Sequence, residues 1–146
     1  MRGLIWAAIL LAGRASAEAA CPVGTEALVV AGDQVFMVEV ATEAQARQLG
    51  LSGRERLAPV AGMWFVMPVP GWHGFWMKDM RFAIDLVWVS DAGRVLAVET
   101  LEPCGLSACP VHYPPAPVAY VLEVNRGAFR AQIGSPLEWG CVPYQP

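Results

Sequence analysis

The chain is poor in charged residues and has no basic cluster. Only 16% of its 146 residues are charged, and the net charge at pH 7 is −3. Nucleic-acid binding depends on Lys and Arg side chains that neutralise phosphates, so an acidic chain without a basic patch is a poor candidate for it. We therefore expect no nucleic-acid partner.

Residues that carry catalysis or bind metals are also scarce. The only histidines are His73 and His112, and no Cys-x-x-C pair occurs, which makes a zinc-type site a weak interpretation. No serine lies in a nucleophile elbow. The sequence predicts neither a resident cofactor nor a serine-type hydrolase.

The apolar run at the start of the chain is too short to span a bilayer. It extends from Leu4 to Gly13, follows Arg2, and leads into Ala15-Ser16-Ala17, a pattern typical of a cleaved signal peptide. We predict a signal peptide over residues 1–17 and a single domain over residues 18–146, either periplasmic or secreted. After cleavage we expect no membrane span. A short membrane anchor and a lipoprotein acylated at Cys21 are the alternatives.

Four cysteines remain after the predicted cleavage, namely Cys21, Cys104, Cys109 and Cys141. An even number in an exported chain favours disulfides. Cys104 and Cys109 bracket a short loop and form the natural local pair. That pairing leaves Cys21 with Cys141, which would join the two ends of the mature chain.

The rest of the pattern is that of a small, mainly β domain. Short runs rich in β-branched and aromatic residues alternate with Gly, Asp and Pro turn signals. Strands are predicted at residues 27–31, 35–40, 62–67, 84–90, 94–101, 119–124 and 137–142, short helices after Thr42 and at 125–132, and loops at 68–71 and 102–117. Such frequent turns favour a small sandwich or a partly closed barrel with one or two short helices.

One segment combines bulky aromatic residues with charged ones. Lys78 and Asp79 directly follow Phe75-Trp76-Met77, and Asp85 interrupts an apolar run that reads as a buried strand. A buried carboxylate needs a partner, and Lys78 is the predicted one. Backbone N–H groups of the loop at 68–74 are the alternative.

Ordered motifs along the chain resemble those of a known family. The motifs are Gly62-Met63-Trp64-Phe65-Val66, Phe75-Trp76-Met77-Lys78-Asp79-Met80, Ile84-Asp85-Leu86 and Tyr120-Val121-Leu122-Glu123. On these residues the chain resembles domain-of-unknown-function family 192, small bacterial and archaeal proteins often made with a signal peptide. The resemblance implies a small, mainly β fold with a short helix, and it implies no reaction. The family usually has Asn-Thr where this chain has Asp79 and Met80.

The favoured function is a non-catalytic periplasmic binding or accessory module for a small or glycan-like ligand. Its predicted ligand-binding residues are Trp72, Trp76, Lys78, Asp79 and Asp85, because aromatic faces stack on sugars and other flat rings.

Three other interpretations stay open. A structural one makes Asp85 and Lys78 an internal ion pair that holds the neighbouring loop. The first functional alternative is a small hydrolase of envelope glycans that uses Asp79 and Asp85 as acid and base across an open cleft. The second is a copper-binding protein that uses thioethers such as those of Met77 and Met80.

Overall fold

The computed structural model describes residue 21, residues 25–106 and residues 108–142. The predicted signal peptide lies outside these residues. The elements in chain order are β1 (Glu26–Ala31), β2 (Gln34–Ala41), α1 (Ala44–Leu49), β3 (Ala61–Gly71), β4 (Phe75–Trp76), β5 (Ile84–Val89), β6 (Val95–Leu101), β7 (Val111–His112), β8 (Val118–Asn125) and β9 (Leu137–Cys141).

Seven of these strands form one sheet, in the order β6-β5-β8-β3-β2-β1-β9. Strands β2 and β3 are parallel and are connected through α1, whereas the other neighbours are antiparallel. The edge strands approach each other at a bridge between Arg94 and Pro136. The sheet thus curls without closing into a barrel. The predicted mainly β, sandwich-like fold is confirmed.

Strands β4 and β7 form a separate two-stranded ribbon, in which Phe75 pairs with His112 and Trp76 with Val111. Residues 102–117, predicted as a loop, therefore contain a short strand. The ribbon is absent from the prediction because each of its strands is only two residues long, too short to show a strand period.

Three other local predictions need correction. The helix begins at Ala44 with Glu43 at its N-cap and no side-chain cap, so Thr42 is not the cap. Strand β3 continues through residues 68–71 with a register shift. No helix forms over residues 125–132: Asn125 ends β8, residues 126–127 form a turn, and the N–H of Phe129 bonds to the Asp85 carboxylate instead of to a helical carbonyl.

Both faces of the central strands are buried, which explains their nearly continuous apolar sequences. Trp64 and Leu122 belong to the first core cluster, on one face of the sheet. Their neighbours Phe65 and Val121 belong to the second core cluster, on the opposite face. Residues of α1 and of the segment around β4 pack against the second core cluster.

Both predicted disulfides are present. Cys21 and Cys141 are bonded with their Cα atoms 5.5 Å apart, and Cys104 and Cys109 with theirs 5.3 Å apart. The first bond joins the edge strand β9 to a cysteine buried in the first core cluster.

Candidate functional site

A pocket of about 470 Å³, here called the inner pocket, lies over the second core cluster. One wall is the C-terminal end of α1, the opposite wall is the β4–β7 ribbon, and the base is formed by β3 and β8. Its lining residues are Arg47, Gln48, Leu49, Gly50, Leu51, Ser52, Phe65, Met67, His73, Gly74, Phe75, Trp76, Met80, Val111, Tyr113 and Glu123. This volume is in the range of small-molecule sites.

Glu123 is the one acidic residue in this lining. It lies on β8, where its cross-strand neighbours are Met63 on β3 and Leu86 on β5, both members of the second core cluster. Only 6% of the residue is exposed, and its Oε2 atom is buried without a hydrogen-bond partner. A central position in the sheet thus holds a carboxyl group among apolar side chains.

Burial changes the protonation of this group. Loss of hydration disfavours the carboxylate and raises the pKa of Glu123 to about 8, against the weaker opposing effect of the Arg54 charge. At pH 7 the side chain is therefore mainly a neutral carboxylic acid, able to donate as well as accept a hydrogen bond.

The guanidinium groups near Glu123 are already engaged. Arg54 makes a bidentate pair with Glu39, with 2.8 Å between Nη2 and Oε2, and this contact lowers the pKa of Glu39. Arg47 donates to the carbonyl oxygens of Thr42 and Val66. In the part of the chain that the structure describes, no ion pair reaches Glu123.

Aromatic rings form much of the rest of the inner pocket. Phe75 meets Phe65 edge-on, with ring centroids 5.0 Å apart. Trp76 and Tyr113 are 44% and 61% exposed, so they border the mouth. His73 makes a 2.8 Å hydrogen bond between Nε2 and the Val69 carbonyl oxygen, which fixes its ring beside the ribbon.

A second depression of about 310 Å³, the outer pocket, adjoins the inner one. Both are lined by Gln48, Leu49, Ser52 and Trp76, so they lie side by side along α1 and are together called the cleft. Lys78 and Asp79 line the outer pocket only. The ammonium of Lys78 lies 5.6 Å from the centroid of the Trp76 ring, within the range of a cation–π contact.

The Lys78–Asp79 turn is held by the segment that follows α1. Ser52 Oγ donates to the carbonyl of Lys78 at 2.9 Å, and Gly53 N–H donates to that of Asp79 at 2.8 Å. Among the described residues, Asp79 is the single non-glycine residue with positive φ, at 58°. That conformation favours Asn and Asp over other side chains, which accounts for the residue types at this position.

The predicted pairing of Asp85 with Lys78 is wrong. Asp85 is buried, and its two carboxylate oxygens accept hydrogen bonds from Thr100 Oγ1 at 2.9 Å and Phe129 N at 3.2 Å. Lys78 is exposed at the outer pocket. Neutral donors on neighbouring segments satisfy the buried carboxylate, so it needs no cation.

The structure brings together three of the five predicted ligand-binding residues, namely Trp76, Lys78 and Asp79. Trp72 is 60% exposed and lines neither the inner nor the outer pocket. Asp85 is likewise absent from both linings.

The sequence analysis missed Glu123 as a site residue. The signal that singled out Asp85, a carboxylate inside an apolar strand, also occurs at Glu123 in Val121-Leu122-Glu123-Val124.

The methionines of the copper interpretation lie mostly in packed surroundings. Met63, Met67 and Met77 belong to the second core cluster, and Met80 packs against it. Within residue 21 and residues 25–106 and 108–142, no group of three or more His, Cys, Asp or Glu side chains is arranged to hold a metal ion.

The fold and cleft define a class: a small, curled β-sheet domain with an acidic residue at the base of an aromatic pocket. The chain belongs to the DUF192 family, described as "Uncharacterized ACR", whose pattern it matches over residues 27–139. The match includes α1, the β4–β7 ribbon and Glu123, so the whole cleft lies inside the family domain.

Two crystal structures have the same fold. A Sinorhizobium meliloti protein, provisionally described as a transcription regulator, is 25% identical with a TM-score of 0.68, over 79% of this chain and 92% of that chain. A protein of unknown function from Novosphingobium aromaticivorans is 24% identical with a TM-score of 0.66, over 78% of this chain and 84% of that chain. No curated protein is significantly similar.

Among the described residues, none of the helices has the length and apolar character needed to cross a membrane.

Proposed function

We propose that this protein is a non-catalytic binding module that holds a small ligand in the cleft formed by the inner and outer pockets. The observation that carries the proposal is Glu123, whose Oε2 atom is buried without a partner at the base of an aromatic pocket. A buried polar atom without a hydrogen bond costs about 1–3 kcal/mol. A ligand that bonds to this oxygen recovers that cost.

The walls of the cleft suit a ligand with a compact apolar body. Phe75, Trp76 and Tyr113 offer ring faces and edges that pack on flat or cyclic groups. Gln48 and Ser52 lie on the wall shared by both pockets and offer hydrogen bonds that orient a polar substituent. A sugar-like ring and other small cyclic molecules fit this description.

The hydrolase alternative gains no support from the geometry. It needs two carboxylates facing one substrate across a cleft, yet Asp85 is buried against Thr100 and Phe129, whereas Asp79 is exposed at the outer pocket. The regulatory role named for the Sinorhizobium meliloti protein is also not adopted, because a net charge of −3 does not favour DNA binding.

We propose the periplasm or the extracellular space as the location. The two disulfides support it, since such bonds persist in oxidising compartments, and the signal-like pattern of residues 1–17 points the same way. Sequencing the N-terminus of protein recovered from a periplasmic extract tests this, with Glu18 as the expected first residue. Recovery of the full-length chain from the cytoplasm alone would contradict it.

Nuclear magnetic resonance of the ¹⁵N-labelled protein tests the binding function. A set of small neutral, cationic and anionic ring compounds is titrated, and amide shifts are expected to cluster at Leu49, Gly50, Phe75, Trp76 and Glu123. Trp76→Ala should weaken binding at least several-fold. Trp72→Ala is the matched control, since this exposed tryptophan lines neither pocket. If no compound shifts these amides, the proposed function is wrong.

A further inference from the structure

We infer that the ligand of the inner pocket is a small organic cation whose ammonium group pairs with the Glu123 carboxylate. This inference rests on the proposed function and specifies the chemical class of its ligand. It follows from the missing charge partner, the aromatic walls and the volume of the pocket.

The Glu123 carboxyl group has an oxygen that lacks a partner. Glu123 Oε2 has no hydrogen bond, and the nearby guanidiniums are engaged by Glu39 and by backbone carbonyls. A carboxylate buried beside apolar side chains is strongly stabilised by a bound cation. The protein leaves that cation to be supplied from outside.

The inner pocket has an aromatic wall. The faces of aromatic rings carry negative electrostatic potential and attract ammonium groups. Trp76 lies at the mouth of the inner pocket, and its ring already has the Lys78 ammonium 5.6 Å from its centroid. A ligand cation would find the Glu123 carboxyl group at the base of the pocket and aromatic rings beside it, whereas an anion would gain nothing from the ring faces.

Several other charged or titratable groups lie around Glu123 and the two pockets. Arg54 is bound to Glu39 as a bidentate pair, and its charge has only a weaker, opposing effect on the pKa of Glu123. Arg47, His73 and Tyr113 line the inner pocket, and Lys78 and Asp79 the outer one. Arg47 opposes a cation, but its guanidinium is directed at the carbonyl oxygens of Thr42 and Val66.

Binding of a cation should displace the proton of Glu123, so the affinity for the cation should depend on pH. The neutral Glu123 carboxyl must release its proton to solvent when a cation binds, so net charge in the pocket is conserved. The apparent affinity is then the intrinsic affinity multiplied by the fraction of molecules in which Glu123 is deprotonated. With a pKa of about 8, the affinity for a permanent cation should rise by roughly 50- to 100-fold between pH 6 and pH 9.

Isothermal titration calorimetry with choline tests this, with 3,3-dimethylbutan-1-ol as the uncharged compound of the same shape. Choline keeps its charge at every pH, so a change in affinity reports on the protein. We expect choline to bind more tightly as the pH rises and the neutral alcohol to bind weakly without a pH trend. Glu123→Gln should weaken choline binding and abolish its pH dependence.

Glu138→Gln is the matched control, because Glu138 is exposed on β9 and lines neither pocket of the cleft; it should bind choline as the parent does. If Glu123→Gln does not fold, the comparison of choline with the alcohol on the parent protein still decides. Equal affinities for the two compounds at pH 8, or no choline binding while neutral rings shift the inner-pocket amides, would overturn the cation inference and leave the binding function. If no compound binds in either the magnetic resonance or the calorimetry experiment, both the proposed binding function and the cation inference are wrong.

Discussion

Thr100 donates a hydrogen bond of 2.9 Å from its hydroxyl to the Asp85 carboxylate, across the register pair that these two residues form between β5 and β6. The second carboxylate oxygen accepts from the N–H of Phe129. Asp85 thus ties two strands to the turn that follows β8. Its carboxylate satisfies the buried N–H of Phe129 and lines neither pocket of the cleft.

Removing the Asp85 carboxylate should destabilise the protein. Asp85→Leu leaves the buried N–H of Phe129 without an acceptor, which costs about 1–3 kcal/mol. Asp85→Asn should cost less, since an amide can offer its oxygen to Phe129 and donate to Thr100. Lys78→Met should change the free energy of unfolding by less than about 1 kcal/mol. Urea unfolding of the three variants measures these changes. A large loss of unfolding free energy for Lys78→Met would contradict this and favour the Asp85–Lys78 ion pair predicted from the sequence.

Stability should fall as the pH rises through the neutral range because of Glu123. Burial raises the pKa of Glu123 from the ordinary 4.5 to about 8, so between these values the folded state keeps a proton that the unfolded chain releases. The free energy of unfolding therefore decreases with rising pH, by up to about 1.4 kcal/mol per pH unit, and levels off above about pH 8.

Glu123→Gln isolates this contribution. Urea unfolding at pH 5, 6, 7, 8 and 9 should show the decline in the parent and in the exposed-residue control Glu138→Gln, but not in Glu123→Gln. Glu39, whose pKa is lowered by Arg54, contributes stability that is lost only as pH falls through the acidic range, outside this window. Parallel curves for the parent and Glu123→Gln would mean that the carboxyl is not held protonated.

The two hairpins and the end of the helix follow from the sequence, whereas the pairing of strands that are distant in the chain does not. Gly-containing turns after Ala31 and Ser90 predicted both hairpins, and Gly50 correctly marked the end of α1. The β4–β7 ribbon joins residues far apart in the chain, and only tertiary packing brings them together.

The candidate site was predictable in part for the same reason. The motif around Trp76 placed three residues on the cleft because Trp76, Lys78 and Asp79 lie within four positions of the chain, where β4 leads directly into a turn. The partner of Asp85 depended instead on which strand lies beside β5, and the antiparallel register places Thr100 there. Glu123 carried a sequence signal equal to that of Asp85, but a strand pattern alone does not show which face meets a pocket.

The positive φ of Asp79 gives a prediction about residue choice. At φ 58° a β-branched side chain is strained, by about 1–2 kcal/mol, whereas Asn fits this conformation well. Asp79→Val should therefore destabilise by about that amount, and Asp79→Asn should be neutral or slightly stabilising. The neighbouring exposed position provides the control Lys78→Val. Thermal unfolding compares the three; equal melting temperatures for Asp79→Val and Asp79→Asn would contradict the turn conformation.

The two disulfides should contribute unequally to stability. Cys21 and Cys141 are 120 residues apart and Cys104 and Cys109 only 5, so the chain-entropy relation gives about 5 kcal/mol for the first bond and about 2 kcal/mol for the second. Paired Cys→Ser variants compared by urea unfolding under oxidising conditions should show this order. Alkylation of the unfolded parent without reductant, followed by intact-mass measurement, should label no cysteine. Two labelled cysteines would show that one of the two disulfides is not formed.

The shape of the inner pocket should depend on the absence of a side chain at Gly74. A Cβ atom there would lie 2.5 Å from Val111 Cγ1 and 2.9 Å from Tyr113 Cε1, so Gly74→Ala must shift the side chains of Val111 and Tyr113, which line the inner pocket. Overpacking of this kind costs about 1–3 kcal/mol. Gly140→Ala is the matched control, since a Cβ at that position meets nothing within 4 Å.

Amide spectra distinguish a local change from general unfolding. Gly74→Ala should shift the amides of the ribbon and of Trp76, weaken ligand binding in the cleft, and leave the amides of β1 and β9 in place. Gly140→Ala should alter only its own surroundings on β9 and bind as the parent does. If Gly74→Ala kept both the ribbon amides and the ligand affinity of the parent, the close contact between Gly74 and β7 would not be what shapes the pocket.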